Sequence, residues 1–118
     1  MSLFQLSFLG DAVFELLVRE YAISNNIVKL NDLQKFTLDF VPARRQAFFL
    51  QSLIDNEVLS SDESDLVRRG RNIKTHKSPK NCDIVTYKYA TAFEILIGFL
   101  YLNDKNRLNQ IFDLVINM

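Results

Sequence analysis

The sequence is poor in residues that interrupt regular structure or cross-link a chain. Its 118 residues include three glycines, two prolines, one cysteine, one histidine and no tryptophan. So few glycines and prolines leave long uninterrupted segments, which favours helices. The single cysteine, Cys82, excludes an intramolecular disulfide, so nothing points to an oxidising compartment. A nucleophilic role for Cys82 is the weaker reading, because no activating partner is evident beside it.

An excess of charge of one sign is also missing, since 14 basic residues balance 14 acidic ones. The N-terminal residues lack the basic and apolar segments of a signal peptide. The most apolar run, residues 90–102, is too short to span a bilayer and has Glu94 in its middle. We therefore expect a cytoplasmic protein with no membrane partner. A chain of 118 residues that is 48% hydrophobic is expected to form one domain around a single core.

Apolar residues recur at three- and four-residue spacing over much of the chain, and no alternating strand pattern of useful length appears. The predicted class is all-α, with about six helices. Their expected ranges are Leu6–Tyr21, Asn31 or Asp32 to about Phe40, Ala43 to about Asn56, Ser60 or Ser61 to about Gly70, Asp83 to Leu102, and Lys105 to Ile116. Asn31-Asp32 and Asp83 are expected to cap the second and fifth helices, and Gly70 is expected to weaken or end the fourth. Residues 72–81 lack apolar periodicity and are predicted to form an ordered loop.

Two acidic residues occupy apolar surroundings in different predicted helices. Glu94 is the only charged residue of residues 90–102, and Asp11 follows the apolar residues 8–10. A carboxylate in an apolar helix costs several kcal/mol unless it is compensated. Two such carboxylates can compensate each other only by sharing a proton or a cation, which predicts a divalent-metal site. Glu15, one helical turn beyond Asp11, is a third candidate ligand, although an exposed or ion-paired residue is an equal alternative.

Basic residues are concentrated in residues 68–80, which hold six of the 14 and no acid. Such a run is often no more than a solvated loop. Here, however, small hydrogen-bonding residues lie between the charges, a composition typical of contacts with phosphate and sugar. We therefore favour nucleic acid as the partner of this segment. The candidate RNA-binding residues are Arg71, Asn72, Lys74, His76, Lys77, Lys80 and Asn81.

Several of these segments resemble the ribonuclease III family. Residues 8–13 (FLGDAV) match the core of its signature helix, and residues 93–102 (FEILIGFLYL) resemble its second acidic motif. Residues 69–72 (RGRN) and 78–81 (SPKN) resemble a narrower branch, Mini-ribonuclease III. The larger enzymes carry further acids where this chain has Phe4, Ser7 and Thr91, and the reduced set is typical of the branch.

The resemblance implies a ribonuclease III-like endonuclease domain spanning residues 1–118, with no double-stranded-RNA-binding domain. It implies a two-fold homodimer in which Phe8 is a contact residue, although Phe8 by itself reads equally as a core residue. It further implies metal-dependent cleavage of double-stranded RNA, with Asp11 and Glu94 as catalytic residues and ligands of Mg²⁺ or of Mn²⁺ in its place. The implied substrate is the precursor of large-subunit (23S) ribosomal RNA, whose ends the branch matures.

Two other functions compete with this interpretation. One is a non-catalytic RNA-binding dimer of the same fold, which would be expected to lose the two acids first. The other is a small helical interaction module with a structural acid pair, for which the basic segment would be accidental. Retention of Asp11 and Glu94, which are costly without a cation, favours the nuclease.

Overall fold

A computed structural model of the protein describes residues 1–74 and 82–118. Over these two ranges the chain forms six α-helices and no strand, which confirms the predicted all-α class. The helices are α1 (Leu3–Ser24), α2 (Leu30–Leu38), α3 (Ala43–Asp55), α4 (Ser61–Arg71), α5 (Ile84–Asn103) and α6 (Lys105–Ile116). Among these helices, none has both the length and the hydropathy needed to cross a bilayer.

Side-chain caps account for most of the helix starts. The Ser2 and Ser60 hydroxyls accept hydrogen bonds from the backbone N–H groups of Gln5 and Glu63, so both serines open capping boxes. Asp83 caps α5 as predicted, since its carboxylate accepts from the backbone N–H of Thr86.

The predicted cap of α2 is wrong. The helix begins at Leu30, one residue before Asn31, and its N-cap residue Lys29 makes no side-chain cap. Asp32 lies inside the first turn instead, where the positive end of the helix dipole favours a carboxylate. A residue that suits the first turn is easily mistaken for the cap that precedes it.

α4 ends at Arg71, one residue after Gly70, so its predicted end is confirmed to within one residue, although Gly70 itself is helical. Gly70 is buried against α5, and a Cβ atom there would lie 3.2 Å from the Cα atom of Ala92. The glycine therefore serves close helix packing. Of the predicted loop, residues 72–74 are non-helical, and residues 75–81 lie outside the described residues.

α5 is the central helix, and it packs against α1, α3 and α4. Most of its side chains from Ala90 to Leu100 are buried. Aromatic rings join three helices at the middle of the core. The Phe14 ring of α1 meets the Phe93 ring of α5 edge to face at 5.0 Å between centroids, and the Phe49 ring of α3 at 6.1 Å.

A half-buried ion pair ties α6 to α4. The guanidinium of Arg107 donates to both carboxylate oxygens of Glu63, at 2.9 and 2.8 Å, and to the backbone carbonyl of Val58 at 2.8 Å. The hydrogen bond from Arg107 holds the pKa of Glu63 below its ordinary value. Glu63 thus joins the start of α4 to the start of α6.

The crossing of α1 and α5 depends on two glycines. A Cβ atom added at Gly10 would lie 1.8 Å from the backbone oxygen of Glu94. One added at Gly98 would lie 2.2 Å from the backbone oxygen of Leu6. No side chain fits at either distance, so the two helices touch through their backbones.

We predict that Gly98→Ala destabilises the protein by about 1–3 kcal/mol, because the added methyl group must push two backbones apart. The measurement is the free energy of unfolding from urea titration. Gly70→Ala is the comparison and should lose less stability, since its Cβ would lie 3.0 Å from the side-chain tip of Ile95 and 3.2 Å from the Ala92 Cα atom, whereas the Cβ added by Gly98→Ala would lie 2.2 Å from a backbone oxygen. Equal losses in the two variants would contradict this account of the crossing.

Candidate metal centre

The α1–α5 crossing brings the two predicted acids together. Asp11 follows Gly10 on α1, and Glu94 contributes the α5 backbone that Gly10 touches. The Asp11 carboxyl lies close enough to the Glu94 carboxyl to raise its pKa, so the neutral form of Glu94 is favoured beside it. The structure therefore places Asp11 and Glu94 side by side, as the sequence predicts.

The two carboxyls differ in exposure, which corrects the premise that both are buried. Glu94 is half-buried, whereas Asp11 is exposed at the solvent edge of α1, because its apolar neighbours Val13 and Phe14 take the core-facing positions. The metal hypothesis therefore rests on the cost of ionising Glu94 next to Asp11, and less on the burial of Asp11.

Burial is the largest of the effects that raise the pKa of Glu94 to about 8, and the neighbouring Asp11 carboxyl acts in the same direction. The Ser7 hydroxyl opposes this effect, because it donates a hydrogen bond of 3.0 Å to Oε1 of Glu94. At neutral pH the pair therefore favours holding a proton, and a cation placed between the two carboxyls would displace it.

The donor set suits a divalent cation of the Mg²⁺ type. Two carboxyl groups supply oxygen ligands, and Mg²⁺ commonly binds one or two carboxylates while keeping its other positions for water and substrate. In residues 1–74 and 82–118, no third His, Cys, Asp or Glu joins the pair to form a larger cluster. The described residues therefore offer a cation two candidate carboxyl ligands, Asp11 and Glu94.

Glu15 is not brought to this pair. Its carboxylate forms an ion pair of 3.0 Å with the Nη2 atom of Arg19, one turn further along α1. Both residues line a groove of about 430 Å³ between α1 and α2. This geometry matches the ion-paired alternative, and a place for Glu15 in the outer shell of a metal stays a prediction.

Three of the candidate RNA-binding residues are described. Asn72 and Lys74 are exposed, and Asn72 ends α4. Arg71 is half-buried, with its guanidinium 5.2 Å from the ring centroid of Tyr89 and its Nη1 donating to the Tyr89 hydroxyl at 2.9 Å. Arg71 thus fastens the end of α4 to α5. The other four candidates, His76, Lys77, Lys80 and Asn81, lie outside the described residues.

Phe8 projects from α1 with 85% of its surface exposed, so the alternative reading of a core residue is wrong. Phe4 and Leu16 on the same helix are 62% and 52% exposed. An apolar helix surface of this kind is typical of an interface.

The sequence analysis did not predict the roles of Ser7, which contacts Glu94, and of Tyr89, which contacts Arg71. Ser7 lies four residues before Asp11, and residues at this spacing share one face of a helix. That spacing was the available signal. The contact of Tyr89 with Arg71 had no comparable signal, since 18 residues separate the two. Burial and the neighbouring Asp83 charge raise the pKa of the Cys82 thiol, which agrees with the expectation against a nucleophilic role.

Comparison with known proteins decides the family. The Ribonuclease III domain family matches residues 5–105. The chain belongs to this family, in its Mini-ribonuclease III branch. Among curated relatives, the Mini-ribonuclease 3 of Clostridium tetani is 43% identical over 115 residues, covering 96% of this chain and 75% of that protein. The Mini-ribonuclease 3 of Brevibacillus brevis is 46% identical over 100 residues, covering 85% of this chain and 73% of that protein.

The ribonuclease III fold of the chain also has a counterpart among solved structures. A crystal structure of a protein from Fusobacterium nucleatum superposes with a TM-score of 0.84 at 32% sequence identity. The match covers 98% of this chain and 92% of that one. The structural likeness thus extends over nearly all of the chain.

We predict that Glu94 makes the stability of the metal-free protein fall with rising pH. Its pKa is about 8 in the folded protein against an ordinary value of 4.5. Between these values the folded state holds a proton that the unfolded chain has released, so the free energy of unfolding decreases as pH rises through this window. The glutamine of Glu94→Gln cannot ionise. Above about pH 8, the free energy of unfolding of this variant is therefore expected to exceed that of the wild type by on the order of a few kcal/mol.

The measurement is thermal unfolding in EDTA at about pH 5 and about pH 9, on either side of the titration window. Glu20→Gln, which removes an exposed carboxylate from α1, should keep the pH dependence of the wild type. The same decline of Tm with pH in Glu94→Gln as in the wild type would contradict the assignment.

Proposed function

We propose that the protein is a Mg²⁺-dependent endoribonuclease that hydrolyses phosphodiester bonds of double-stranded RNA. Membership of the ribonuclease III family supports an endoribonuclease. The observation that carries the metal dependence is the contact between the carboxyl groups of Asp11 and Glu94. Such a pair is costly to ionise unless a cation lies between its members.

Each residue of the pair has a defined part in the proposed reaction. Asp11 and Glu94 would hold the cation through their carboxylate oxygens, and Glu94 would bind it as the deprotonated carboxylate. A bound Mg²⁺, or Mn²⁺ in its place, supplies an activated water and neutralises the charge that develops on the phosphate. Ser7 keeps one oxygen of Glu94 occupied by a hydrogen bond. Because the site is open to solvent through the exposed Asp11, an RNA backbone can approach it.

We propose that the basic segment from Arg68 to Lys80 binds the backbone of the RNA duplex. Lys74 is exposed and so available to phosphate, and Arg71 fixes the base of the segment on Tyr89. A-form RNA offers phosphates and 2′-hydroxyls more readily than base edges, so recognition should depend on duplex shape. Binding through such contacts weakens steeply with salt.

A homodimer is the proposed assembly. Each chain supplies one acid pair, whereas a duplex has two strands to cut. A two-fold axis relates those strands, and a two-fold dimer would place one metal centre on each. The exposed Phe8 and Phe4 of α1 supply an apolar surface for that contact.

The proposed natural substrate is the precursor of large-subunit (23S) ribosomal RNA, matured at its ends in the cytoplasm. Two features support this proposal: the identity with curated Mini-ribonuclease 3 proteins, and the sequence motifs shared with that branch. The alternative, a non-catalytic RNA-binding dimer, is one outcome of the following test.

We predict that the wild type cuts both strands of a labelled RNA duplex in Mg²⁺, and that Asp11→Asn and Glu94→Gln each lower the rate by at least about 100-fold, because neither variant can hold the cation with two charged oxygens. The measurement is the single-turnover cleavage rate, accompanied by the dissociation constant for RNA in Ca²⁺.

Glu15→Gln is the matched control on α1, and its rate should stay within a few-fold of the wild type if Glu15 only pairs with Arg19. Duplex RNA that is bound but intact with the wild type in both Mg²⁺ and Mn²⁺ would overturn the nuclease and favour the non-catalytic dimer. Equally fast cleavage of single-stranded RNA would overturn the preference for duplex RNA.

We predict that Phe8→Glu converts the dimer to a folded monomer, because it places a charge in an apolar contact. Sedimentation velocity gives the mass, and circular dichroism reports the fold. Leu114→Glu, at a 44% exposed position on α6, is the control and should remain dimeric. An unchanged dimer in Phe8→Glu would remove Phe8 from the interface.

A further inference from the structure

The Ser7 hydroxyl forms a hydrogen bond with a different helix, although it could have bonded within its own helix. Serine hydroxyls inside helices often donate to the backbone carbonyl one turn earlier. Ser7 instead donates across the α1–α5 crossing to Oε1 of Glu94, at 3.0 Å in a part-buried position. The two residues are 87 positions apart in sequence, so the contact depends on the tertiary fold.

The position of Ser7 on α1 makes it a partner of the whole acid pair. Ser7 and Asp11 are four residues apart and therefore lie on the same face of the helix. Ser7 donates a hydrogen bond to the Glu94 side chain, and the Asp11 carboxyl lies beside the same side chain. One face of α1 thus presents a carboxyl and a hydroxyl to a single carboxyl of α5.

A hydroxyl donor in this place restricts the carboxyl that it contacts. Without it, the terminal torsion of a glutamate side chain is broad, and the carboxyl can rotate. With Oε1 held by Ser7, the orientation of the carboxyl plane is fixed and Oε2 remains for another partner.

We propose that Ser7 is a positioning residue that orients the Glu94 carboxylate for cation binding. This inference rests on the proposed function, because it assigns a supporting role at the same metal centre. Hydrogen bonds that hold a ligand in this way commonly change metal affinity or activity by about 10- to 100-fold.

The space around Ser7 sets the size of the expected effect. Ser7 lines a hollow of about 40 Å³ together with Gly70, Lys88 and Thr91. A hollow of that volume has room for water, which can replace part of a lost hydrogen bond. The loss of affinity in Ser7→Ala should therefore lie near the lower end of that range, at about 10-fold.

The test uses Mn²⁺ as the probe, so that it has a readout other than cleavage. Free Mn²⁺ is followed by electron paramagnetic resonance in the wild type, Ser7→Ala and Ser7→Thr. The Mg²⁺ concentration for half-maximal cleavage is measured in parallel. Ser24→Ala is the matched control. The Ser24 hydroxyl donates to the backbone carbonyl of Tyr21, and Ser24 lies about 25 Å from Ser7 along the same helix.

The expected result is about 10-fold weaker Mn²⁺ binding in Ser7→Ala, with a similar rise in the half-maximal Mg²⁺ concentration and a smaller change in the rate at saturating Mg²⁺. Ser7→Thr, which keeps the hydroxyl, should bind Mn²⁺ within a few-fold of the wild type. Unchanged Mn²⁺ affinity in Ser7→Ala would overturn the proposal. Equal losses in the alanine and threonine variants would also overturn it, because side-chain shape would then matter and the hydroxyl would not.

The two readouts separate this proposal from the proposed function. A wild type that cuts no RNA, together with a Ser7→Ala variant that binds Mn²⁺ more weakly, would reject the nuclease and keep the role of Ser7. A wild type that cuts RNA, together with a Ser7→Ala variant of unchanged Mn²⁺ affinity, would keep the nuclease and reject the role of Ser7.

Discussion

Backbone contact between α1 and α5 is the constraint on which the rest of the site depends. At Gly10 and Gly98 a single methyl group would collide with a backbone carbonyl of the facing helix. The absence of side chains there lets the helices approach until Asp11 and Ser7 both reach Glu94. The same approach directs Phe14 into the core against Phe93. Core packing and the acid pair are therefore consequences of one helix crossing.

Placing two carboxyl groups side by side costs free energy, and contacts elsewhere in the fold offset that cost. A half-buried carboxyl beside a second carboxyl resists ionisation, which is why the pKa of Glu94 is raised to about 8. Large aromatic contacts around α5 and the Glu63–Arg107 ion pair stabilise the surrounding helices. A rigid scaffold can hold two like charges close together, and a cation then gains from their proximity. Residues that perturb one another in this way are common at functional sites.

The fold class and the acid pair were predictable because their signals are local. Helical periodicity, the Asp83 cap and the isolation of Glu94 in an apolar run can all be read from short stretches of sequence. The role of Gly70, the contact of Arg71 with Tyr89 and the exposure of Asp11 could not be read in this way, since each depends on which face of one helix meets another. Phe8 illustrates the same limit: an aromatic residue at helical spacing fits a core or an interface, and only its 85% exposure distinguishes the two.

The measurement that tests the central claim most directly is anomalous diffraction from crystals of the protein soaked in Mn²⁺. The account predicts a Mn²⁺ peak between Asp11 and Glu94, within about 2 Å of a carboxylate oxygen or joined to it by one water molecule. It also predicts that the peak is absent from crystals of Glu94→Gln. A peak elsewhere, with no ion between the two carboxyls in saturating Mn²⁺, would contradict the claim that the helix crossing builds a metal centre.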